Sequence, residues 1–423
     1  MRLNSIGRNA IWMMSEKIIS IFGLFFVTSY VAKYIGPSLF GALSLAMAVF
    51  QIVQTVAQMG GENIIFKRVA KKVDSGVRLI RASFMLRLML YTVLAIPVVL
   101  YFWFSADKTA FVFAISVALA CLFSAIDVYT IYNNSTLSSK YNAVSNVIGL
   151  VIGLGVRYII ARLQLDPMLL GIPIVLTTLI PFLIRRARFR RDAGHVKPIH
   201  KEWRKNSLVY SKYMLMAGSA VMLSSISVAI YTRINLFFIS EFTGSYQLGI
   251  YSVALTLATS WSFFVNSVIT SFYTSIYAEN DEATAMKQAA KLNRYAVIFS
   301  AFFVGFIVIF GREIIHLLYG DEYKDAYIPV VILCVGTLLS STGSVAYRYI
   351  IKHSGYAYLS KKMVAVFLIS IPLSYFLTRY FGITGAAISV VAVEFLSLTV
   401  MNYFFNKALI LKLHILTLSF KGA

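Results

Sequence analysis

The sequence predicts an all-α integral membrane protein of about twelve transmembrane helices, set in two six-helix bundles related by a pseudo-two-fold axis along the membrane normal. Three observations predict it. Of 423 residues, 59% are apolar and 13% charged, with a mean hydropathy of +0.76, whereas roughly a quarter of a soluble domain is charged. The apolar residues gather into runs close to the length of about 20 residues that a bilayer crossing needs. A strongly basic stretch at 185–205 divides those runs into two sets of six, and short motifs recur across the divide.

The first run, 10–32, follows MRLNSIGRN and has no small-residue cleavage site behind it, so it reads as a retained helix. Runs at 38–60, 84–104, 110–131, 143–163 and 166–184 complete the first set. The second set is 208–238, 248–275, 294–311, 327–350, 363–380 and 383–405, and its first member is long enough to be tilted or bent. Pro97, Pro173, Pro181 and Pro372 interrupt runs, where neighbouring groups must re-satisfy the freed backbone. Gly149-x3-Gly153, with Gly155, leaves room for another helix to come close. Cys121 and Cys334 both fall inside runs, so neither disulfides nor a metal cluster is implied. The expected domains are an N-terminal lobe (1–184), a basic cytoplasmic linker (185–205) and a C-terminal lobe (206–423).

The repeat is short but regular. Gly36-x4-Gly41-x2-Ser44-x-Ala46 matches Gly244-x4-Gly249-x2-Ser252-x-Ala254 at a constant offset of 208, and Tyr132, Tyr141 and Ser145 match Tyr347, Tyr356 and Ser360 at 215. Six crossings is an even number, so both halves start on the same side. Parallel repeats of this kind relate two lobes by an axis along the membrane normal, and transporters place substrate sites between them.

Charge sets the orientation. With the N-terminus in the cytoplasm, 27 of the 39 Lys and Arg fall in cytoplasmic segments, 6 in the opposite loops and 6 in the spans; the 17 acids divide as 7, 7 and 3. This is the positive-inside pattern, so most of the +22 net charge is a topology signal and not a nucleic-acid footprint.

The six basic residues in the spans or at their rims are Lys17, Arg87, Arg157, Lys212, Arg233 and Arg348. Arg87, Lys212 and Arg348 lie near ends, where long side chains can snorkel to headgroups. Lys17, Arg157 and Arg233 lie deeper and suit an aqueous cavity that receives an anion. The membrane acids Glu16, Asp127 and Glu394 are candidates for ion coupling or for pairing with Arg157 or Lys17. The 26 Tyr offer faces for sugar rings, although interface belts and packing use Tyr as well. No HExxH, carboxylate cleft or GxxxxGK[ST] loop is present, so neither an enzyme nor direct ATP drive is expected. No cofactor is implied.

Trp12-x3-Glu16-Lys17 followed by Tyr34-Ile35-Gly36-Pro37-Ser38-Leu39-Phe40-Gly41, then Gly244-x4-Gly249-Ile250-Tyr251-Ser252, then Leu318-Tyr319-Gly320-Asp321-Glu322-Tyr323, resemble three motifs of one family in the family's order. They are similar to those of the polysaccharide repeat-unit flippases (Wzx type) of the multidrug/oligosaccharidyl-lipid/polysaccharide exporter superfamily. The resemblance spans essentially the whole chain. One departure is Asn235, where relatives often carry an acid; Asn235 cannot titrate.

The resemblance implies a V-shaped pair of bundles around a cationic cavity that moves oligosaccharide on undecaprenyl pyrophosphate from the cytoplasmic to the outer leaflet of the bacterial inner membrane. The charge and depth of the span cations make Lys17, Arg157 and Arg233, with Arg87 and Arg348, the expected substrate contacts, and a polymerase and a chain-length regulator of the same pathway are expected partners. Two rivals remain: a cation or drug antiporter of the same superfamily, disfavoured by the +3 within the spans, and a membrane polysaccharide polymerase or glycosyltransferase, disfavoured by short outer loops.

Overall fold

The computed structural model describes the backbone of residues 2–194, 196 and 221–419, and the side chains of 23, 25–194, 196 and 221–419. Among the described residues every regular element is a helix, and nine helices are long and apolar enough to cross a membrane. Phe104, Phe302, Ile309, Leu317 and Phe404 are largely exposed on helix surfaces. Such a surface invites association in water but matches hydrocarbon in a bilayer. The chain is a multi-pass membrane protein.

Three of the nine contain a glycine in the left-handed half of backbone space. Helix α1 (Arg2–Gln58) breaks at Gly36 (φ +74°), the stretch Val221–Ala278 breaks within α9 (Ile234–Thr259) at Gly244 (φ +82°), and α13 (Tyr356–Leu398) breaks at Gly382 (φ +56°). An unbroken helix of 57 residues would be about 85 Å long, nearly three times a hydrocarbon core. Each break divides one run into two crossings, which turns the nine described helices into twelve segments. A side chain at these φ values is disfavoured by contact of its Cβ with the backbone.

Helix contacts gather the chain into two compact units, Met1–Ile35 with Ala42–Ala229, and Gly36–Gly41 with Ile230–Ala423. In the first, α2 (Gly61–Lys71) lies on α3 (Val73–Ser105), and α4 (Lys108–Ile126) on α3 and α7 (Gly171–Asp192). Helix α2 buries Ile65 and Val69 and exposes Lys67 and Lys71. The short α5 (Tyr129–Ser135) brings Tyr129 and Tyr132 against Phe189, with ring centroids 4.9 and 5.0 Å apart. Helix α6 (Ser139–Arg162) packs along α7 through the small residues expected of it. A Cβ on Gly149 would meet Pro181 Cδ at 2.6 Å, and one on Gly153 would collide with the Thr177 side chain. Gly155 faces open space and takes no part.

Two expectations change here. The stretch 185–192 is not linker but the last turns of α7, because the buried side of that helix continues through Phe189. Pro173 does not interrupt a helix; it is the third residue of α7, where its missing N–H has no partner to lose.

The helical stretch 221–231 (α8), whose residues up to Ala229 belong to the first unit, ends in a turn at 232–233 before α9 begins, so the long seventh run is bent there. In the second unit α9 packs on α12 (Tyr327–Lys352) and α13, and α10 (Ser262–Ala278) and α11 (Glu282–Tyr319) on α12. The core is aromatic: Trp261, Tyr273 and Tyr349 are fully buried, and the Tyr273 hydroxyl donates to Val345 O at 2.8 Å. The four-residue α14 (Val400–Tyr403) leads to α15 (Leu409–Leu418). Helix α15 is fixed by Arg294, which donates to the carbonyls of Leu416, Thr417 and Ser419 at 2.5–3.0 Å.

Residues 36–41 of the first motif, 244–252 of the second and 318–323 of the third meet inside this unit. A Cβ on Gly41 would collide with Ser245 O, and one on Gly249 would collide with Pro37 O. Residue 41 corresponds to 249 and residue 37 to 245 at the repeat offset of 208, so the contact is a local two-fold crossing of the two repeats. The third motif covers it. Phe40 lies edge-on to Tyr323 at 6.5 Å, Tyr323 lies 5.7 Å from Tyr319, and the Tyr246 hydroxyl donates to Glu322 O at 3.3 Å.

Candidate functional site

Each unit holds a polar cavity among its own helices. In the first, about 360 Å³ is lined by Gln58, Glu62, Arg87, Asp127, Asn146 and Arg185, among others. Asp127 ends α4, at the point where the chain turns into α5, and Arg185 reaches it from α7 at 2.6 Å; each side chain is 7% exposed. The other arm of Arg185 donates to Asn146 Oδ1 at 2.7 Å, and Thr130 Oγ1 donates to Asp127 Oδ2 at 3.2 Å. Arg87, from α3, is only 2% exposed and uses Nη1 to reach Ala125 O at 3.3 Å. It does not snorkel. Its position about four turns into α3 places it against the α4–α5 junction.

The second unit has a cavity of about 390 Å³ lined by Tyr231, Tyr347, Arg348, Lys362 and Glu394, with serines between them. Glu394 accepts a hydrogen bond from the Tyr231 hydroxyl and feels the Lys362 charge. Lys362 is buried and donates to Asn402 Oδ1 at 2.8 Å. Arg348 donates to Thr270 Oγ1 at 2.9 Å and lies 5.9 Å from the Tyr273 ring centre. Both membrane acids thus have partners other than the expected Arg157 and Lys17. A third hollow, of about 520 Å³, lies at the α11–α12 turn, with the exposed pair His316–Asp321 at 2.7 Å.

The other expected residues are placed separately. Arg157, on α6, is half-buried, with no charged or hydrogen-bonding partner among the described residues; its neighbour Tyr158 lies 5.5 Å from Tyr30 of α1. Arg233 sits at the α8–α9 break, where Nη1 reaches Thr232 Oγ1 at 3.1 Å. Asn235 accepts from Ser389 Oγ at 2.9 Å, a buried neutral pair. The side chains of Glu16 and Lys17, and all of Lys212, lie outside the described residues.

Arg185 and Lys362 are the functional candidates that sequence reasoning missed. Arg185 was hidden by the basic run that follows it, and Lys362 lay one residue before the expected start of its span. The available signal was periodicity: Arg185 lies four residues before Phe189, on the same face of α7.

The polysaccharide biosynthesis protein family matches residues 6–273 of the chain. The capsular polysaccharide biosynthesis protein CapF of Staphylococcus aureus is 22% identical over 210 residues, which is 48% of this chain; the match spans about half, 52%, of that relative. Among solved structures, an inward-facing multidrug resistance MATE family transporter of the MOP superfamily matches with a TM-score of 0.62 at 14% identity, covering 96% of this chain and 98% of its own. The lipid II flippase MurJ, in an inward closed conformation, matches with a TM-score of 0.59 at 13% identity, covering 97% and 90%. At these identities the structural likeness is one of fold.

Proposed function

Because the chain belongs to the polysaccharide biosynthesis protein family, we propose that it is a flippase for undecaprenyl-pyrophosphate-linked oligosaccharide repeat units. It works in the bacterial cytoplasmic membrane, with both termini in the cytoplasm, and carries its cargo to the outer leaflet by alternating access. It is a transporter and not an enzyme. The observation that carries this reading is the joining of a polysaccharide-biosynthesis family match to a transporter fold along 96–97% of the chain.

The chemistry supports the same reading. A pyrophosphate and its sugars cannot cross hydrocarbon unaided, and guanidinium groups replace water around phosphate with charge-assisted hydrogen bonds. Lys17, Arg157 and Arg233 are the proposed contacts for the pyrophosphate, with Arg87 and Arg348 secondary. Tyr231 and Tyr347 offer faces to sugars. Of the three membrane acids, Glu394 has the best claim to ion coupling, since its partners are a tyrosine and a lysine in an accessible cavity. Glu16 keeps the same proposed role, whereas Asp127 serves Arg185.

A drug antiporter is the second reading, favoured by the multidrug transporters among the structural matches. Replacing Lys17, Arg157 and Arg233 by Ala separates the two. Loss of surface polysaccharide with unchanged drug sensitivity is the flippase result. Unchanged polysaccharide with raised drug sensitivity would sink it.

A further inference from the structure

We propose that the cavity inside the first unit is a binding site for a phosphate-class oxyanion, held between Arg87 and Arg185, with Asp127 as the counter-ion that the anion displaces.

The buried charges do not balance. Among the described residues two buried guanidinium groups face one buried carboxylate, and all three side chains are at least nine-tenths buried. Glu62 also lines the cavity and its charge acts on Arg87 more than that of Asp127, but it is exposed and forms no ion pair with either guanidinium among the described residues, so water screens much of its effect. A buried charge left without a partner is strongly unfavourable. Arg185 spends one arm on Asp127 and the other on Asn146. Among the described residues Arg87 has no carboxylate in contact and a single long bond to a carbonyl.

The unused atoms have the right geometry. Among the described residues, Nε and Nη2 of Arg87 have no acceptor, nor has Nε of Arg185. On a guanidinium, Nε and Nη2 form one edge, whose two parallel N–H groups match two oxygens of a phosphate. Asp127 Oδ1 is also unpartnered, so it can accept from a P–OH or from a water beside the anion. The volume of about 360 Å³ greatly exceeds the ~30 Å³ share of one water, so room is not limiting. Water alone satisfies the N–H groups but leaves the positive charge. A metal cation at Asp127 would add to it.

Phosphate reaches such a cavity either as a free ion or as a lipid headgroup, and the test separates the two. The full chain, purified in detergent, is titrated with inorganic phosphate in one arm and with phosphatidylglycerol in mixed micelles in the other, with chloride as the ionic-strength control. The readouts are the unfolding midpoint and native mass spectrometry. Saturable stabilisation by phosphate identifies a free anion, and saturation only by phosphatidylglycerol identifies a headgroup. In either arm Arg87→Gln should weaken binding at least tenfold and Arg87→Lys by less, while Arg162→Gln leaves it unchanged. Asp127→Asn should tighten binding severalfold, because the anion then meets Arg185 without a competitor. That variant keeps the test decisive if Arg87→Gln fails to fold. Equal affinity in Arg87→Gln and wild type, unchanged or weaker binding in Asp127→Asn, or no saturation above chloride with either probe overturns the site.

Discussion

Asp127 and Arg185 show how a single pair carries both stability and specificity. The ion pair is buried, so removing one partner strands the other. Asp127→Ala or Arg185→Ala should destabilise the chain by about 3–5 kcal/mol. The double replacement Asp127→Leu with Arg185→Met should recover most of that, since well-packed apolar residues replace buried ions at little net loss. Melting midpoints in detergent, without phosphate, measure both effects; a double variant as unstable as the singles would refute the ion-pair account. At this scale the sequence was only partly legible. Arg87 and Asp127 stood out as charges among apolar residues, but Arg185 looked like one more cytoplasmic cation in a run of five. Depth along a helix says how far a side chain lies from the headgroups. It does not say which side of the helix it leaves from, and for Arg87 that side decided the matter.

Among the elements, the crossing of the two repeats is the clearest case. Gly41 and Gly249 bring two backbones together with no space for a methyl group, and the atoms opposing them are main-chain carbonyls that cannot rotate away. Gly41→Ala or Gly249→Ala should therefore cost more than the usual 1–3 kcal/mol of overpacking, whereas Gly155→Ala should be nearly silent. Yield and thermal stability of the three variants compare them directly. The repeat offset of 208 was readable in the sequence, and so were the glycines, because only glycine is free to adopt the φ values found at Gly36 and Gly244. That the motifs build a junction in the fold, and contact one another, was not readable.

Helix α15 gives a second test at this scale. His414 is a half-buried residue of this helix, with the Tyr403 hydroxyl at 3.1 Å, and burial pushes its imidazole down to about 4. An ordinary imidazole titrates near 6.5. Above that value docked and released helices are both neutral, and docking is independent of pH. Between 6.5 and 4 the released helix takes up a proton that the docked helix excludes, so docking weakens as pH falls. Hydrogen exchange over residues 409–418 should accelerate across that window, beyond the chemical pH dependence, and His414→Gln should abolish the extra change.

The whole molecule was the most legible level. Apolar runs near 20 residues and the excess of cytoplasmic cations pointed to a twelve-segment membrane protein before any coordinates, because the bilayer allows few alternatives. What the runs could not convey was the brevity of the joints: in 2–58 and in 356–398 two helices meet at a single non-helical glycine, Gly36 and Gly382. The orientation remains to be measured. Cysteines placed at the exposed Lys324 and Lys361, which flank α12, should react from opposite sides in a chain whose Cys121 and Cys334 are replaced by Ser. An impermeant maleimide should label position 324 in intact cells and position 361 only after permeabilisation. The reverse pattern would invert the topology.

Transport itself is the central claim, and a reconstituted system measures it most directly. The purified chain is placed in liposomes carrying an undecaprenyl-pyrophosphate oligosaccharide, and a membrane-impermeant glycosidase cleaves whatever sugar reaches the outer face. The account predicts that cleavage passes the half expected of a symmetric, static bilayer and approaches completion, and that Lys17→Ala with Arg157→Ala and Arg233→Ala slows this by at least tenfold. Cleavage that stops at half in protein-containing liposomes, as in empty ones, would contradict it.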